Sequence, residues 1–283
     1  MATRITVLVD DRKGLPALAT EHGLAFWVEH DGRKLLVDTG ASGQALLRNA
    51  EALGIAVEEA EAIALSHGHF DHTGGLAAVA PRLGGVDLYA HPDVFVRKYT
   101  KSTTGAWHSI GIAFAQTQLE AAGIFCRLST GAQEVVPGAW LTGEVPRDAR
   151  CVPSTPHLYA DNPVGRIIDP FHDDQALVLR GADGFVVVSG CAHSGIVNLC
   201  RAAQQIANPR RLLGQGRLRA VVGGFHLGNA SPELLQATIE GLRALDPEAI
   251  HPCHCTGEPA TRALTEAFPH CCKPIAAGSV LEF

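Results

Sequence analysis

The sequence predicts a layered α/β fold, with two β-rich halves that each carry helices. Three observations predict it. Strand-like and helix-like segments alternate through the first and last thirds of the 283 residues. Hydrophobic residues make up 46% of the chain, enough for a sizeable core, and charged residues are 18%, too few for a disordered composition. Strand-like runs end repeatedly in histidine, at His67, His193, His226 and His254. In layered α/β folds, ligands gather along the edge where strands hand over to loops.

The elements follow in order. Residues 5–9, 25–30 and 34–40 read as strands closed by Gly or Asp. Residues 42–54 read as a helix, with Ser42 placed to cap it and Gly54 where a C-terminal glycine belongs. The apolar run 62–66 reads as a buried strand, and a histidine cluster follows it. Residues 74–85 are a short helix, 87–91 a strand, and 92–99 a helical turn or two with proline at the start.

From about 100 to 175, Pro and Gly are frequent and periodicity is weak. This part is expected to be a loop-rich insertion beside the site, within one domain spanning 1–283. Alternation then returns. QALVLR and FVVVSG form a hairpin around GADG, and residues 194–207 a helix. A strand ends at His226 and another at His254. The helix 231–245 between them has Ser231 as cap and Pro232 at its first position. Residues 258–268 are a helix and 279–283 a last strand.

Composition excludes several function classes. The formal net charge is −6, which argues against a broad basic surface for nucleic acid but leaves room for a local basic pocket. The first apolar run is too short for an export signal and no run approaches transmembrane length, so a cytoplasmic protein without a membrane partner is expected. The 8 cysteines then read as reduced thiols. Cys253 and Cys255, near His251, His254 and His270, would allow a small structural zinc site, but the spacing matches no zinc knuckle.

The stretch SHGHFDHTGG, 66–75, carries the chemistry. In extended chain, side chains two apart point the same way, so His67 and His69 reach one metal ion at ~2.1 Å. Asp71 and His72 come after the chain has turned and point to a second ion, ~3.5–4 Å from the first in two-metal hydrolases. Gly68, Gly74 and Gly75 let the loop bend around the ions. Four potential ligands at this spacing after a buried strand argue for a metal centre over a solvated polar loop.

The pattern H-x-H-x-D-H resembles the signature of the metallo-β-lactamase superfamily. LLVDTGAS, SHGHFDHTGGL, DDQALVL, SGCAHSGIVN, GGFHL and HCTG together are similar to a narrower branch, which includes dihydropterin-ribofuranosylaminobenzene phosphate synthase-like proteins and metal-dependent hydrolases. The resemblance implies an αββα sandwich, two mixed β-sheets flanked by helices, with the metals at one edge. It implies two divalent ions, zinc first, with iron and manganese also open.

Carried over by residue, the resemblance puts His67 and His69 on the first ion, and Asp71, His72 and His254 on the second. His193 completes the first site. The expected Gly-Asp that supplies a bridging carboxylate reads Gly190-Cys191 here. The bridge is left open between the Cys191 thiolate, Asp174 reaching in, and water alone. Against these stand a small buried cysteine at a strand end and an aspartate that merely opens the hairpin strand.

Other residues take roles around this centre. Asp38 closes a strand near the cluster and is placed to hold a ligand imidazole by its second nitrogen. His226 is open to three roles: ligand, proton donor to a leaving group, or phosphate contact. Arg97, Lys98 and Arg147 are candidates for binding an anionic substrate.

The expected function is metal-dependent hydrolysis of a small phosphorylated or cyclic-ester metabolite by metal-bound hydroxide. Asp71 orients the nucleophile and His226 acts as acid. The partner is a small anionic substrate, and self-association is left open. The alternatives are a pterin-dependent synthase and an iron-based redox or ligand-binding protein on the same fold.

Overall fold

The computed structural model describes residues 2–208 and 216–283. Its first sheet has seven strands, in the order Val280–Glu282, Thr3–Val9, Ala25–His30, Arg33–Val37, Ala62–Ala64, Val86–Ala90, Ile124–Leu128. The first four pair antiparallel and the rest continue parallel. The second sheet repeats the plan. Gln133–Val136, Ala139–Leu141, Ala176–Gly181 and Gly184–Ser189 pair antiparallel, and then Leu218–Gly224 and Ala249–Cys253 run parallel.

The strands are apolar on both faces, and that dictates four layers. Ile5, Val7, Phe26, Val28, Leu35 and Val37 of the first sheet meet Leu177, Leu179, Val186, Val188, Ala220 and Val222 of the second. The alternate residues Leu8, Trp27, Leu36 and Ile63 turn outward and pack under the helices of the first half. Val178, Phe185, Val187 and Val221 do the same in the second half. Each such buried side chain contributes roughly 1.5–3 kcal/mol relative to exposure. Alternation with period two puts half of every strand in the middle and half under a helix, giving helices, sheet, sheet, helices.

The stretch expected to be a loop-rich insertion carries several strands among its loops. Lys98–Lys101, Trp107–Ser109, Leu158–Asn162 and Gly165–Ile168 form a third, four-stranded antiparallel sheet, and three further strands join the two main sheets. The third sheet lacks a clean apolar period because much of it is solvated, including Trp107 and Ile168. Side-chain stacking helps to hold it. Trp107 lies edge-on to Tyr159 at 4.9 Å, and the Arg166 guanidinium sits 3.6 Å from the Tyr99 ring centroid. It docks on the histidine loop through a bridge between His69 and Gly111, and Phe70 N–H donates to Ile110 O at 2.8 Å.

Two local expectations are corrected. Only Pro92–Phe95 is helical, as one 3₁₀ turn, and Lys98 already belongs to a strand. The helix Gln44–Ala52 starts from Gly43 in the left-handed region. Ser42 accepts from Gln44 N–H just before it and donates to Glu21.

Candidate metal centre

Five strand ends meet at one edge of the sandwich. Asp38 follows Arg33–Val37, and the loop 66–72 follows Ala62–Ala64. Cys191 and His193 follow Gly184–Ser189, His226 follows Leu218–Gly224, and His254 and Cys255 follow Ala249–Cys253. The backbone is strained here. Asp38, Phe171, Ala192, His226 and His254 all have φ between 48° and 57°, a region that residues with a Cβ seldom occupy. Such outliers persist only where the surroundings over-determine them.

Two pockets adjoin. In the first, His67, His69 and His193 bring one nitrogen each within 4.8 Å of the others. Their rings lie 4.6–5.0 Å apart, and Phe171 stacks on His193 at 4.1 Å. Burial, with neighbouring imidazoles, holds His67 and His193 well below the ordinary histidine range, and burial holds His69 down at about 3. All three are neutral at pH 7, the form that ligates metal.

In the second pocket Asp71 Oδ2 lies 3.5 Å from His72 Nε2, 3.4 Å from His254 Nε2 and 3.5 Å from His22 Nε2. Burial opposes ionisation of Asp71, yet His72, His254 and His69 hold its carboxyl far below the usual carboxylate range. Burial likewise opposes a charge on His254, but Cys255, Asp11 and Asp71 together raise it well above its ordinary value.

Carboxylates and a hydroxyl hold the rings from behind. Asp38 Oδ2 sits 2.7 Å from His72 Nδ1 and accepts from the Ser66 hydroxyl, which lies 3.0 Å from His67 Nδ1. Asp11 Oδ1 sits 2.9 Å from His254 Nδ1. Such partners fix which ring nitrogen faces inward.

The inward nitrogens are the test of fit. His67 Nε2, His69 Nε2, both His193 nitrogens and His254 Nε2 are buried without a hydrogen-bond partner among the described residues. An unmade hydrogen bond at a buried polar atom costs about 1–3 kcal/mol, so a converging group of them calls for a ligand. Imidazole, carboxylate and thiol donors together fit a divalent transition-metal ion.

Cys191, where the resemblance expects a bridging aspartate, lies between the pockets. Its sulfur is 3.2 Å from His72 Nε2. It also falls within donor groups formed with His67 and His72, with His193 and His226, and with His254 and Cys255. Asp174 does not reach in. Its carboxylate accepts from the backbone N–H of His193 at 3.1 Å and of Ser194 at 2.7 Å, and so shapes the loop that presents His193. Burial raises its carboxyl to about 6, against those hydrogen bonds.

Two cations read as substrate contacts have other work. Lys98 is buried, with its ammonium 2.8 Å from Asp169 and 2.9 Å from Asp173. Asp173 in turn accepts from Gly68 N–H at 2.8 Å, so the pair anchors the histidine loop from beneath. Arg147 donates to the backbone carbonyls of Pro170 and Phe171, bracing the ring that stacks on His193. Arg97, just before the strand Lys98–Lys101, remains exposed.

His226 is half-buried, 4.2 Å from the His193 ring, and lines a cavity of about 190 Å³ together with Ser154, Asn229 and Cys255. Asp11 and His22 reach the site from the loop after the first strand, and of these His22 carried no warning in the sequence; Cys255, noted there only with Cys253 for a structural zinc site, lies in this centre instead.

A family model described as the metallo-beta-lactamase superfamily matches residues 19–254. The chain belongs to that superfamily. Among relatives, it is 29% identical to a 7,8-dihydropterin-6-methyl-4-(beta-D-ribofuranosyl)-aminobenzene-5'-phosphate synthase of Methanocaldococcus jannaschii, over 99% of this chain and 96% of that one. Among solved structures, a metal-dependent hydrolase of the beta-lactamase superfamily superposes with a TM-score of 0.81 at 29% identity, covering 99% of both chains. A diphosphatase of the PhnP family superposes with a TM-score of 0.56 at 18% identity, covering 100% and 98%, and shares the fold. Among the described residues no helix is long and apolar enough to cross a membrane.

Proposed function

We propose that this superfamily member is a metal-dependent hydrolase of a small phosphorylated or cyclic-ester substrate. The observation that carries the reading is the set of buried, unpartnered imidazole nitrogens converging beside Asp71. His67, His69 and His193 would hold one ion. Asp71, His72 and His254 would hold another, with Cys191 between them. Zinc suits these donors, and iron or manganese is also compatible. A bound ion of this kind lowers the pKa of coordinated water to ~7 and polarises a phosphoryl or carbonyl oxygen.

The chain's own residues supply the rest. Asp71, held ionised by its imidazole neighbours, orients an incoming water. His226 has its Nδ1 buried without a partner among the described residues, and it borders the cavity. Burial opposes its protonation, but the Cys255 contact outweighs this and raises it. A protonated imidazole at the cavity wall is placed to donate to a leaving group. Phe171, stacked on His193, keeps bulk water off that ring.

A second reading, a pterin-dependent synthase, is favoured by the identity to the archaeal synthase along almost the whole chain. One assay series separates them. Protein reconstituted with zinc, iron or manganese is given phosphodiesters and lactones, and separately a dihydropterin pyrophosphate with an arylamine. Turnover of a single substrate with water supports hydrolysis. Product that forms only when pterin and arylamine are both present replaces hydrolysis by synthesis. Turnover of neither class by metal-loaded protein removes the enzymatic reading.

A further inference from the structure

The strand end that delivers His254 delivers a second donor immediately after it. Cys255 lies 3.7 Å by its sulfur from the carbonyl oxygen of Cys191, and its sulfur, the Cys191 sulfur and a His254 nitrogen all fall within 4.8 Å of one another. Other cysteines behave differently. Cys200 and Cys253 turn into the apolar cores, where they pack as small hydrophobes. Cys255 instead faces histidines on one side and the cavity on the other.

The backbone is cleared for this approach. A Cβ at Gly224 would stand 2.8 Å from the Cys255 sulfur and 2.4 Å from the Gly190 carbonyl. A Cβ at Gly190 would stand 2.0 Å from the Ser66 hydroxyl. Gly224 N–H donates to Gly190 O at 3.0 Å, locking the two strand ends that carry Cys191 and His226. Glycine at both positions lets the sulfurs, the histidines and Ser66 crowd into one volume, which any side chain there would occupy. Packing alone gives no reason for two thiols to be brought together in a polar, histidine-lined space.

We propose that Cys191 and Cys255 form a paired thiol donor set that completes the second pocket of this centre beside His254, making it a sulfur-containing site that selects thiophilic ions. The inference rests on the metal-centre reading above. Thiolate ligands favour zinc, iron or cobalt over magnesium, calcium or manganese, which prefer oxygen. A carboxylate bridge would leave the centre open to manganese, whereas the sulfur pair turns it toward zinc.

Cobalt is the probe, because thiolate-to-cobalt charge transfer adds a near-ultraviolet band that imidazole and carboxylate ligands do not give. Metal-free protein is titrated with cobalt(II), and bound cobalt is counted by elemental analysis. The expected result is bound cobalt with the charge-transfer band. The band falls to about half in Cys191→Ser and in Cys255→Ser and vanishes in the double variant. Circular dichroism confirms that each variant is folded. Should Cys191→Ser unfold the edge, thiol titration of the wild-type protein keeps the test: cobalt is expected to protect two thiols from a disulfide reagent. Bound cobalt without the band, a band that survives in the double variant, or no thiol protection overturns the thiol pair and leaves the metal centre standing. No bound cobalt at all overturns both.

Discussion

The two adjoining pockets are built from different chemistry, and the difference shows how one sheet edge sustains two sites. The first is three neutral imidazoles, His67, His69 and His193, whose charge burial suppresses. The second is a charge-dense knot of Asp71, His72, His254, Asp11 and His22, in which carboxylates help to hold His254 and His22 up and imidazoles hold Asp71 and Asp11 down. An imidazole cage waits uncharged for a cation. The ionic knot is partly paired within itself, with His254 Nε2 left without a hydrogen-bond partner among the described residues, and an ion entering it must displace protons.

Removing one member from each pocket tests that contrast most strongly. His67→Ala takes away one of only three donors in the first pocket, so the expected outcome is loss of one ion and a fall in any turnover by several orders of magnitude. His254→Ala is expected to lose the other ion while the imidazole cage keeps its own. Elemental analysis of both variants reads this directly. Loss of both ions from either variant would mean one cooperative centre with Cys191 as an obligatory bridge.

The same contrast predicts opposite responses to pH in metal-free protein. His67, His69 and His193 have folded values below the unfolded histidine value. Their contribution to stability is therefore present above pH ~6.5 and is lost as pH falls toward the folded value, about 3 for His69. His254 and His22 are raised, His22 chiefly by its hydrogen bond to Asp11. Their contribution is complete below pH ~6.5 and is lost as pH rises through their folded values. Urea midpoints measured from pH 4 to 9 are expected to fall on the acid side by the equivalent of a few kcal/mol. His69→Gln should flatten the acid limb and His254→Gln the alkaline one. Equal effects of both variants on both limbs would erase the distinction between the pockets.

How much of this was legible in the sequence differs between the pockets for a physical reason. His67, His69, Asp71 and His72 stand within six positions, and local geometry alone places them together. His193 and His254 come from strand ends far along the chain; the run of strand-end histidines put them on one edge, and the resemblance assigned each to its pocket. His22 carries no periodic or spacing signal, and Cys255 stood out only beside Cys253, which turns into the apolar core while Cys255 joins Cys191 and His254. Lys98 looked like a free cation because it stands near the end of the segment 92–99 with no carboxylate close in sequence on its far side. Its partners Asp169 and Asp173 lie 71 and 75 residues further on. The sandwich itself was legible because both faces of its strands are apolar, while the third sheet was not, because it is partly bathed in water and held by Trp107, Tyr99, Tyr159 and Arg166.

His22 offers the finest test of the comparison. It belongs to the ionic knot by distance, 3.5 Å from Asp71 and 3.4 Å from Asp11, yet its side chain is 63% exposed. Water screens an exposed ion pair to about 1 kcal/mol or less, so His22→Gln should change little by charge alone. If its imidazole also steadies the Asp71 carboxylate as a ligand, the variant should weaken the more loosely held ion by about tenfold, the low end for a residue behind a ligand, and leave the other unchanged. Competition with a chromophoric chelator measures both affinities in one titration. A change confined to the second pocket extends the ionic knot to its solvent rim. An equal weakening of both ions would instead assign His22 to the general field of the edge, and the boundary of the second pocket would then lie at His254, whose side chain is almost wholly buried.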